Sequence, residues 1–142
     1  MHTLSGRRVL LVEDEAIIAL DFAALLTDLG AVVVGPAHSV ANALDLLNEG
    51  KIDCAVLDVN LDGEPVYPVA RALETRRIPF VFVTAHSGEK FDSQFQDCPV
   101  LQKPVDFQEL VHAILHTCGH REEASAEATE KMRRPRRSTA AT

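Results

Sequence analysis

The sequence has few features of a membrane-bound or secreted protein. Its 142 residues contain no run of about 18 apolar residues, the length that a membrane-spanning helix requires. The opening MHTLSGRR has no apolar core like that of a secretory signal, so we expect a cytoplasmic protein without a membrane partner. The chain has three cysteines, Cys54, Cys98 and Cys118, and two of them lie in apolar runs. We therefore expect buried, reduced thiols rather than a framework of disulfide bonds.

Positive charge is scarce in most of the chain. Residues 1–118 carry 8 Lys and Arg against 17 Asp and Glu, whereas residues 119–142 carry 6 against 4. An acidic body argues against nucleic-acid binding. The RRPRR near the end is interpreted as part of a solvated tail, because five residues without a DNA-binding fold cannot specify a base sequence. The segment 119–142 also lacks apolar periodicity, and we expect it to be disordered.

Short apolar runs alternate with segments of helical periodicity over residues 1–118, which we interpret as one domain. Five runs predict buried strands: RRVLLVE, AVVVGPA, IDCAVLD, IPFVFVT and the weaker CPVLQ. Continuous Val, Ile and Leu runs separated by helices predict an α/β fold, a doubly wound five-stranded parallel sheet covered on both faces. The segment AHSGEKFDSQFQDCP has a weak helical pattern, and we expect a short or mobile element there.

Polar side chains follow the predicted strands at their carboxyl ends. Glu13 and Asp14 follow the first strand, Asp58 ends the third, Thr84 ends the fourth and Lys103 follows the fifth. Because the carboxyl ends of parallel strands meet at one edge of the sheet, we expect these side chains to lie together. Carboxylates suit a hard cation such as Mg²⁺, and an ammonium and a hydroxyl suit phosphoryl oxygens. The sequence therefore predicts a site for Mg²⁺ and a phosphoryl group.

The loop after the first strand lacks the glycines of a nucleotide-binding loop. Such a loop presents glycines and a helix N-terminus to an anion, whereas VEDE presents negative charge. A phosphate could not bind there without a cation between. This argues against simple dinucleotide or flavin binding.

Four motifs, VLLVEDE, AVLDVNLDG, FVFVTAH and LQKPVD, resemble in order and spacing the receiver domain of bacterial two-component response regulators. The resemblance covers about residues 5–118 and implies the flavodoxin-like (βα)5 fold of CheY-like proteins. It implies that Asp58 is a phosphoacceptor that takes a phosphoryl group from a histidine kinase in a Mg²⁺-dependent phosphorelay. The Mg²⁺ ligands would be Glu13, Asp14, Asp58 and the main-chain carbonyl of Asn60.

The same resemblance implies roles for the last two strands. Thr84 would bond a phosphoryl oxygen, and Lys103 would pair with the carboxylate or with the phosphoryl oxygen. A cis peptide bond between Lys103 and Pro104 is also implied. His86, two residues after Thr84, would lie beside the phosphoryl group and tune its hydrolysis, and the alternative is an ordinary solvent-exposed loop histidine.

Two features depart from the common receiver pattern. Many receivers have a Tyr or Phe three residues before the lysine, but Val100 occupies that place, so an aromatic rotamer switch is not available. FVFVTAHS, with the weakly helical segment after it and PVLQKP, resembles a subgroup called FATGUY receivers. Those proteins are often single-domain and are associated with HWE-type histidine kinases.

These expectations describe a stand-alone response regulator rather than a conventional enzyme. It would act through contact with a downstream protein or as a phosphate sink. A haloacid-dehalogenase-type phosphatase also uses an aspartyl nucleophile and Mg²⁺, but its nucleophile stands on the first strand with a second acidic residue two places on. Here the candidate is on the third strand, and Asn60 stands two places on. The alternative that stays open is a receiver-like module that binds protein without phosphorylation.

Overall fold

The computed structural model describes residues 4–85 and 93–119. Its strands are β1 Arg8–Val12, β2 Val32–Ala37, β3 Cys54–Asp58, β4 Asn60–Leu61, β5 Glu64–Pro65, β6 Phe80–Thr84 and β7 Val100–Gln102. Its α-helices are α1 Ala16–Asp28, α2 Val40–Glu49, α3 Tyr67–Thr75 and α4 Phe107–Cys118, and a 3₁₀ turn covers Ser93–Phe95. Five strands form one parallel sheet in the order β2-β1-β3-β6-β7, and β4 pairs with β5 in a small antiparallel hairpin. The predicted doubly wound α/β fold is confirmed.

Apolar side chains alternate between the two faces of this sheet. Leu10 and Val12 of β1 belong to a core with α2 and α3, whereas Val9 and Leu11 belong to a second core with α1 and α4. Every residue of β3 and β6 is buried, because helices cover both faces of these central strands. Aromatic rings fill the core on the side of α2 and α3, where the ring of Phe95 stacks on that of Tyr67 with the centroids 5.5 Å apart.

Local sequence signals set several helix boundaries. Ser39 begins α2 by accepting a hydrogen bond from Asn42 N at 3.1 Å, and Asp106 begins α4 by accepting one from Gln108 N at 2.8 Å. Gly30 lies just beyond α1 and has a φ of +94°, a left-handed conformation in which glycine commonly ends a helix. The Lys103–Pro104 peptide bond is cis, as the resemblance implies.

The segment between Asp58 and α3 has a regular structure. It forms the β4–β5 hairpin, whose turn residues Asp62 and Gly63 have φ values of +54° and +92°. Aspartate and glycine are among the residues that tolerate this left-handed region best. The hairpin therefore gives the chain just after Asp58 a fixed shape.

The expectation of reduced thiols is wrong for two of the three cysteines. Cys54, the first residue of β3, and Cys118, the last residue of α4, form a disulfide with their Cα atoms 5.8 Å apart. The last helix returns across the sheet, so its end lies over the start of the central strand. Cys98 is a free thiol, and burial together with the charges of Glu74 and Asp97 raises its pKa to about 11.

Some predictions fall outside the described residues. These are the role of His86, part of the weakly helical segment (residues 86–92) and the tail from residue 120 onward. Among the described helices, none has the length and hydrophobicity needed to cross a bilayer.

Candidate functional site

The parallel register brings the predicted strand-end residues to one edge of the sheet. Asp58 of β3 is in register with Val83 of β6, and Thr84 is in register with Gln102 of β7. Lys103 N donates a hydrogen bond to Thr84 O at 2.7 Å, which fastens the chain after β7 beside the end of β6. Glu13, Asp58 and Thr84 are all buried, with 1%, 4% and 4% of their surfaces exposed. Asp58, Thr84 and Lys103 thus end three adjacent strands.

Three carboxylates converge at this edge. Glu13, Asp14 and Asp58 each offer an oxygen within 4.8 Å of the others. Buried like charges repel one another, so a cluster of this kind is favoured only when positive charge or protons compensate it. Glu13 Oε1 is buried and accepts no hydrogen bond within the described residues, although the Lys103 ammonium lies 3.1 Å away as an ion-pair partner. A buried carboxylate oxygen of this kind beside two further carboxylates fits a hard divalent cation such as Mg²⁺.

Lys103 supplies positive charge to this acidic cluster. Its ammonium nitrogen lies 3.1 Å from Glu13 Oε1, 3.0 Å from Glu15 Oε1 and 3.4 Å from Asp58 Oδ2. The side chains of Lys103, Glu13 and Asp58 are 11%, 1% and 5% exposed, whereas that of Glu15 is 60% exposed. One ammonium therefore faces three carboxylates at once.

Burial and neighbouring charges shift the pKa values of both Asp58 and Lys103. Burial, and then the negative charge of Glu13, raises the pKa of Asp58 to about 8, although Lys103 and the Asn60 amide oppose the shift. Burial alone would lower the pKa of Lys103, but its hydrogen bond to Glu15 and the charges of Asp58 and Glu13 raise it above the ordinary value. The phosphoacceptor candidate thus keeps its proton more readily than a solvated aspartate, and the lysine stays charged.

The β4–β5 hairpin positions Asn60 next to Asp58. Asn60 N donates to Asp58 Oδ1 at 3.2 Å, and Asn60 Oδ1 accepts from Gly63 N at 2.6 Å. Glu64 Oε1 accepts from Val40 N at 3.3 Å, which ties the hairpin to the start of α2. The main-chain segment that includes the predicted carbonyl ligand is therefore held by hydrogen bonds on both sides.

An open cleft of about 470 Å³ lies over these groups. Its lining consists of Asp14, Glu15, Asp58, Asn60, Asp62, Gly63, Ala85 and Lys103. Val100, the place of the missing aromatic residue, begins β7 and is exposed rather than part of this lining. Asp58 and Lys103 therefore line the same open cleft.

Two acidic residues of the site were not singled out by the sequence. Glu15 lies in the VEDE run and Asp62 in the motif AVLDVNLDG, but the receiver resemblance assigns a role to neither residue. The contact of Glu15 with Lys103 joins residues 88 positions apart. It depends on how the chain turns after β7, which no local pattern encodes. The sequence signal for Glu15 was the third carboxylate of an unusually dense acidic run.

Comparisons with known proteins agree with this geometry. Residues 9–115 match the family described as response regulator receiver domain. PdtaR, a transcriptional regulatory protein of Mycobacterium tuberculosis, is 33% identical over 112 residues, which cover 76% of this chain and 55% of PdtaR. The phyllosphere-induced regulator PhyR of Methylorubrum extorquens is 36% identical over 95 residues, 61% of this chain and 36% of PhyR. The chain thus spans about half or less of the length of these curated relatives.

Solved structures extend the likeness. SdrG from Sphingomonas melonis Fr1 is 45% identical with a TM-score of 0.69, and the match covers 80% of this chain and 96% of SdrG. A response regulator receiver protein from Sinorhizobium medicae is 30% identical with a TM-score of 0.64, over 80% of this chain and 94% of that protein. These neighbours share the α/β receiver fold of this chain.

Proposed function

Since this chain belongs to the response regulator receiver domain family, we propose that it accepts a phosphoryl group on Asp58 from a histidine kinase, in a Mg²⁺-dependent phosphorelay. Receiver domains are phosphoacceptors rather than conventional enzymes, and they bind Mg²⁺ at an acidic pocket. The observation that carries the proposal is the convergence of Lys103 and three carboxylates beside one cleft that Asp58 lines.

In the proposed reaction, an oxygen of Asp58 attacks the phosphorus of a phosphohistidine. The phosphorus–nitrogen bond breaks, and its electron pair stays on the kinase imidazole, which takes up a proton. Asn60 N holds one carboxylate oxygen of Asp58 and Lys103 Nζ approaches the other, so the nucleophile is oriented before the donor arrives. Thr84 and Lys103 would receive phosphoryl oxygens after transfer.

The residues that would hold Mg²⁺ are Glu13, Asp14, Asp58 and the Asn60 carbonyl. The ion supplies charge neutralisation to the phosphoryl oxygens in the transition state. The convergence of the three carboxylates, with Glu13 Oε1 buried and without a hydrogen bond within the described residues, is the observation that supports this assignment. The charge of Glu13 is one of the causes that keep a proton on Asp58, so compensation of Glu13 would also free Asp58 as a nucleophile.

The kinase itself would cover an apolar patch beside the cleft. Ile17 and Leu20 are 74% and 68% exposed on the first turns of α1, which begins two residues after Asp14. A protein that delivers a phosphohistidine to Asp58 must contact this rim of the cleft, and large apolar side chains are suited to a protein interface. We assign this patch to the histidine kinase. The contact would form in the cytoplasm, where ATP phosphorylates such kinases. An HWE-type kinase would fit the FATGUY-like sequence.

The output would pass through protein contact or through use of the chain as a phosphate sink. Val100 and Phe107 are exposed at the start of β7 and α4, on the face where receivers usually meet their downstream partners. Without an aromatic residue at position 100, a signal through this face would depend on the backbone after Thr84 rather than on a ring rotation.

Intact-mass spectrometry after incubation with Mg²⁺ and acetyl phosphate tests the proposal. The parent should gain one phosphoryl mass, and Asp58→Asn should gain none. Omission of Mg²⁺ should abolish the gain in the parent. If the parent gains no mass from acetyl phosphate or from a histidine kinase, the proposal is contradicted and a phosphorylation-independent binding module takes its place.

A further inference from the structure

Glu15 makes an ion pair that the proposed phosphotransfer does not use. Its Oε1 lies 3.0 Å from Lys103 Nζ, the shortest of the three carboxylate contacts of that lysine. Glu15 is also the N-cap residue of α1, yet its side chain forms no capping hydrogen bond. Its own amide donates to Glu13 Oε2 at 3.1 Å. The backbone of Glu15 thus belongs to the acidic loop, and its side chain is directed to Lys103.

The three donors of the ammonium are matched by three carboxylate neighbours. A lysine ammonium can donate three hydrogen bonds, and Lys103 donates to Glu13, Glu15 and Asp58. A phosphoryl group on Asp58 would bring new acceptor oxygens to the same ammonium. These oxygens would take the place of the Asp58 carboxylate as an acceptor, and they would compete with Glu13 and Glu15 for the ammonium.

Burial decides which acceptor can leave. The side chain of Glu13 is 1% exposed, so an unpaired charge there would lack water to replace the lysine. The side chain of Glu15 is 60% exposed, so water can solvate its carboxylate as soon as Lys103 departs. Release of Glu15 is therefore the least costly way to free the ammonium.

We propose that Glu15 is a positioning residue that holds Lys103 in the unphosphorylated protein and gives it up to the phosphoryl group. This inference rests on the proposed phosphorylation of Asp58. Glu15 competes with the phosphoryl group for one ammonium, so it weakens the phosphorylated state relative to the free state. An exposed carboxylate–ammonium pair of this kind corresponds to an effect of about two- to fivefold on an equilibrium.

The test compares Glu15→Gln with Asp62→Asn in beryllofluoride binding. Beryllofluoride with Mg²⁺ mimics the phosphoryl group on an aspartate. Asp62 lines the same cleft and carries the same charge, and no ion pair with Lys103 is found for it within the described residues. Asparagine also tolerates the φ of +54° at that position. The two variants therefore remove one charge each, but only Glu15→Gln removes a partner of the lysine.

Glu15→Gln should bind beryllofluoride about two- to fivefold more tightly than the parent, with Asp62→Asn close to the parent. The ¹⁵N signal of the Lys103 ammonium, without beryllofluoride, should show faster proton exchange in Glu15→Gln alone. Unchanged or weaker binding by Glu15→Gln, or equal tightening in Asp62→Asn, would overturn the inference. A parent that binds no beryllofluoride would contradict the proposed phosphorylation, and this inference with it.

Discussion

Reduction of the Cys54–Cys118 disulfide should destabilise the fold by several kcal/mol. The bond joins the first residue of the central strand β3 to the last residue of α4, with a sequence separation of 64. In the chain-entropy description, a bond that closes a loop of this length restricts the unfolded chain by about 4 kcal/mol. Both cysteines are buried and can remain packed as small apolar side chains after reduction. The native contacts therefore persist while the constraint on the unfolded state is lost.

The measurement is urea unfolding with and without a thiol reductant, followed by far-UV circular dichroism because the chain has no Trp. With a slope typical of a small domain, a loss of about 4 kcal/mol lowers the urea midpoint by roughly 2 to 3 M. The assay should use Cys98→Ser as its background, because Cys98 is a free thiol that could form bonds between molecules. In that background, the reductant acts on this disulfide alone.

Thiol titration in denaturant gives an independent check on the same bond. Unreduced parent protein should show one reactive thiol, from Cys98, and reduction should add two more. Coincident unfolding curves with and without reductant, together with three reactive thiols before reduction, would refute the reasoning. Such a result would restore the expectation of reduced cysteines that the sequence suggests.

Three further predictions concern charge, docking and packing. The raised pKa of Asp58 means that its contribution to stability is present below its ordinary value of 3.8 and lost as the pH rises through about 8. Without Mg²⁺, the urea midpoint of the parent should therefore fall between about pH 4 and pH 8 relative to that of Asp58→Asn. Parallel curves of urea midpoint against pH for the two proteins would contradict this. The double substitution Ile17→Ser and Leu20→Ser should slow phosphotransfer from a kinase about tenfold without affecting acetyl phosphate, whereas Val32→Ser, at an exposed apolar position on β2, should alter neither rate. Phe95→Ala should cost about 3 to 5 kcal/mol of unfolding free energy, because this ring is fully buried; a urea-measured loss below about 1 kcal/mol would show that it is not part of the core.

The sheet and most of its site could be predicted because their signals are local. A parallel strand buried on both faces has a continuous apolar run, and the residue that ends the run must lie at the carboxyl edge of the sheet. Asp58 and Thr84 occupy such positions, so their proximity follows once the strand assignment is right. The capping residue Ser39 likewise needs only its own neighbours to act.

The disulfide could not be predicted because its signal is not local. Cys54 and Cys118 lie in separate apolar runs, and either would pack equally well as a reduced thiol. Their pairing depends on the angle at which α4 crosses the sheet. The expectation of reduced thiols followed from the apolar runs around two cysteines, and such runs do not show that two Cα atoms lie 5.8 Å apart.

The charge balance of the cleft explains why the acidic run is so dense. Glu13 and Asp58 are buried beside Asp14, and their repulsion keeps a proton on Asp58. A lysine shared among them would relieve that repulsion, but the lysine must also be available to an arriving phosphoryl group. In the role proposed for it, Glu15 meets both needs. Its Oε1 lies 3.0 Å from Lys103 Nζ at the exposed rim of the cleft, where water can solvate the Glu15 carboxylate once the lysine leaves. The run VEDE therefore combines two kinds of carboxylate: the buried Glu13 and half-buried Asp14, suited to a metal ion, and the exposed Glu15, suited to holding a lysine and releasing it.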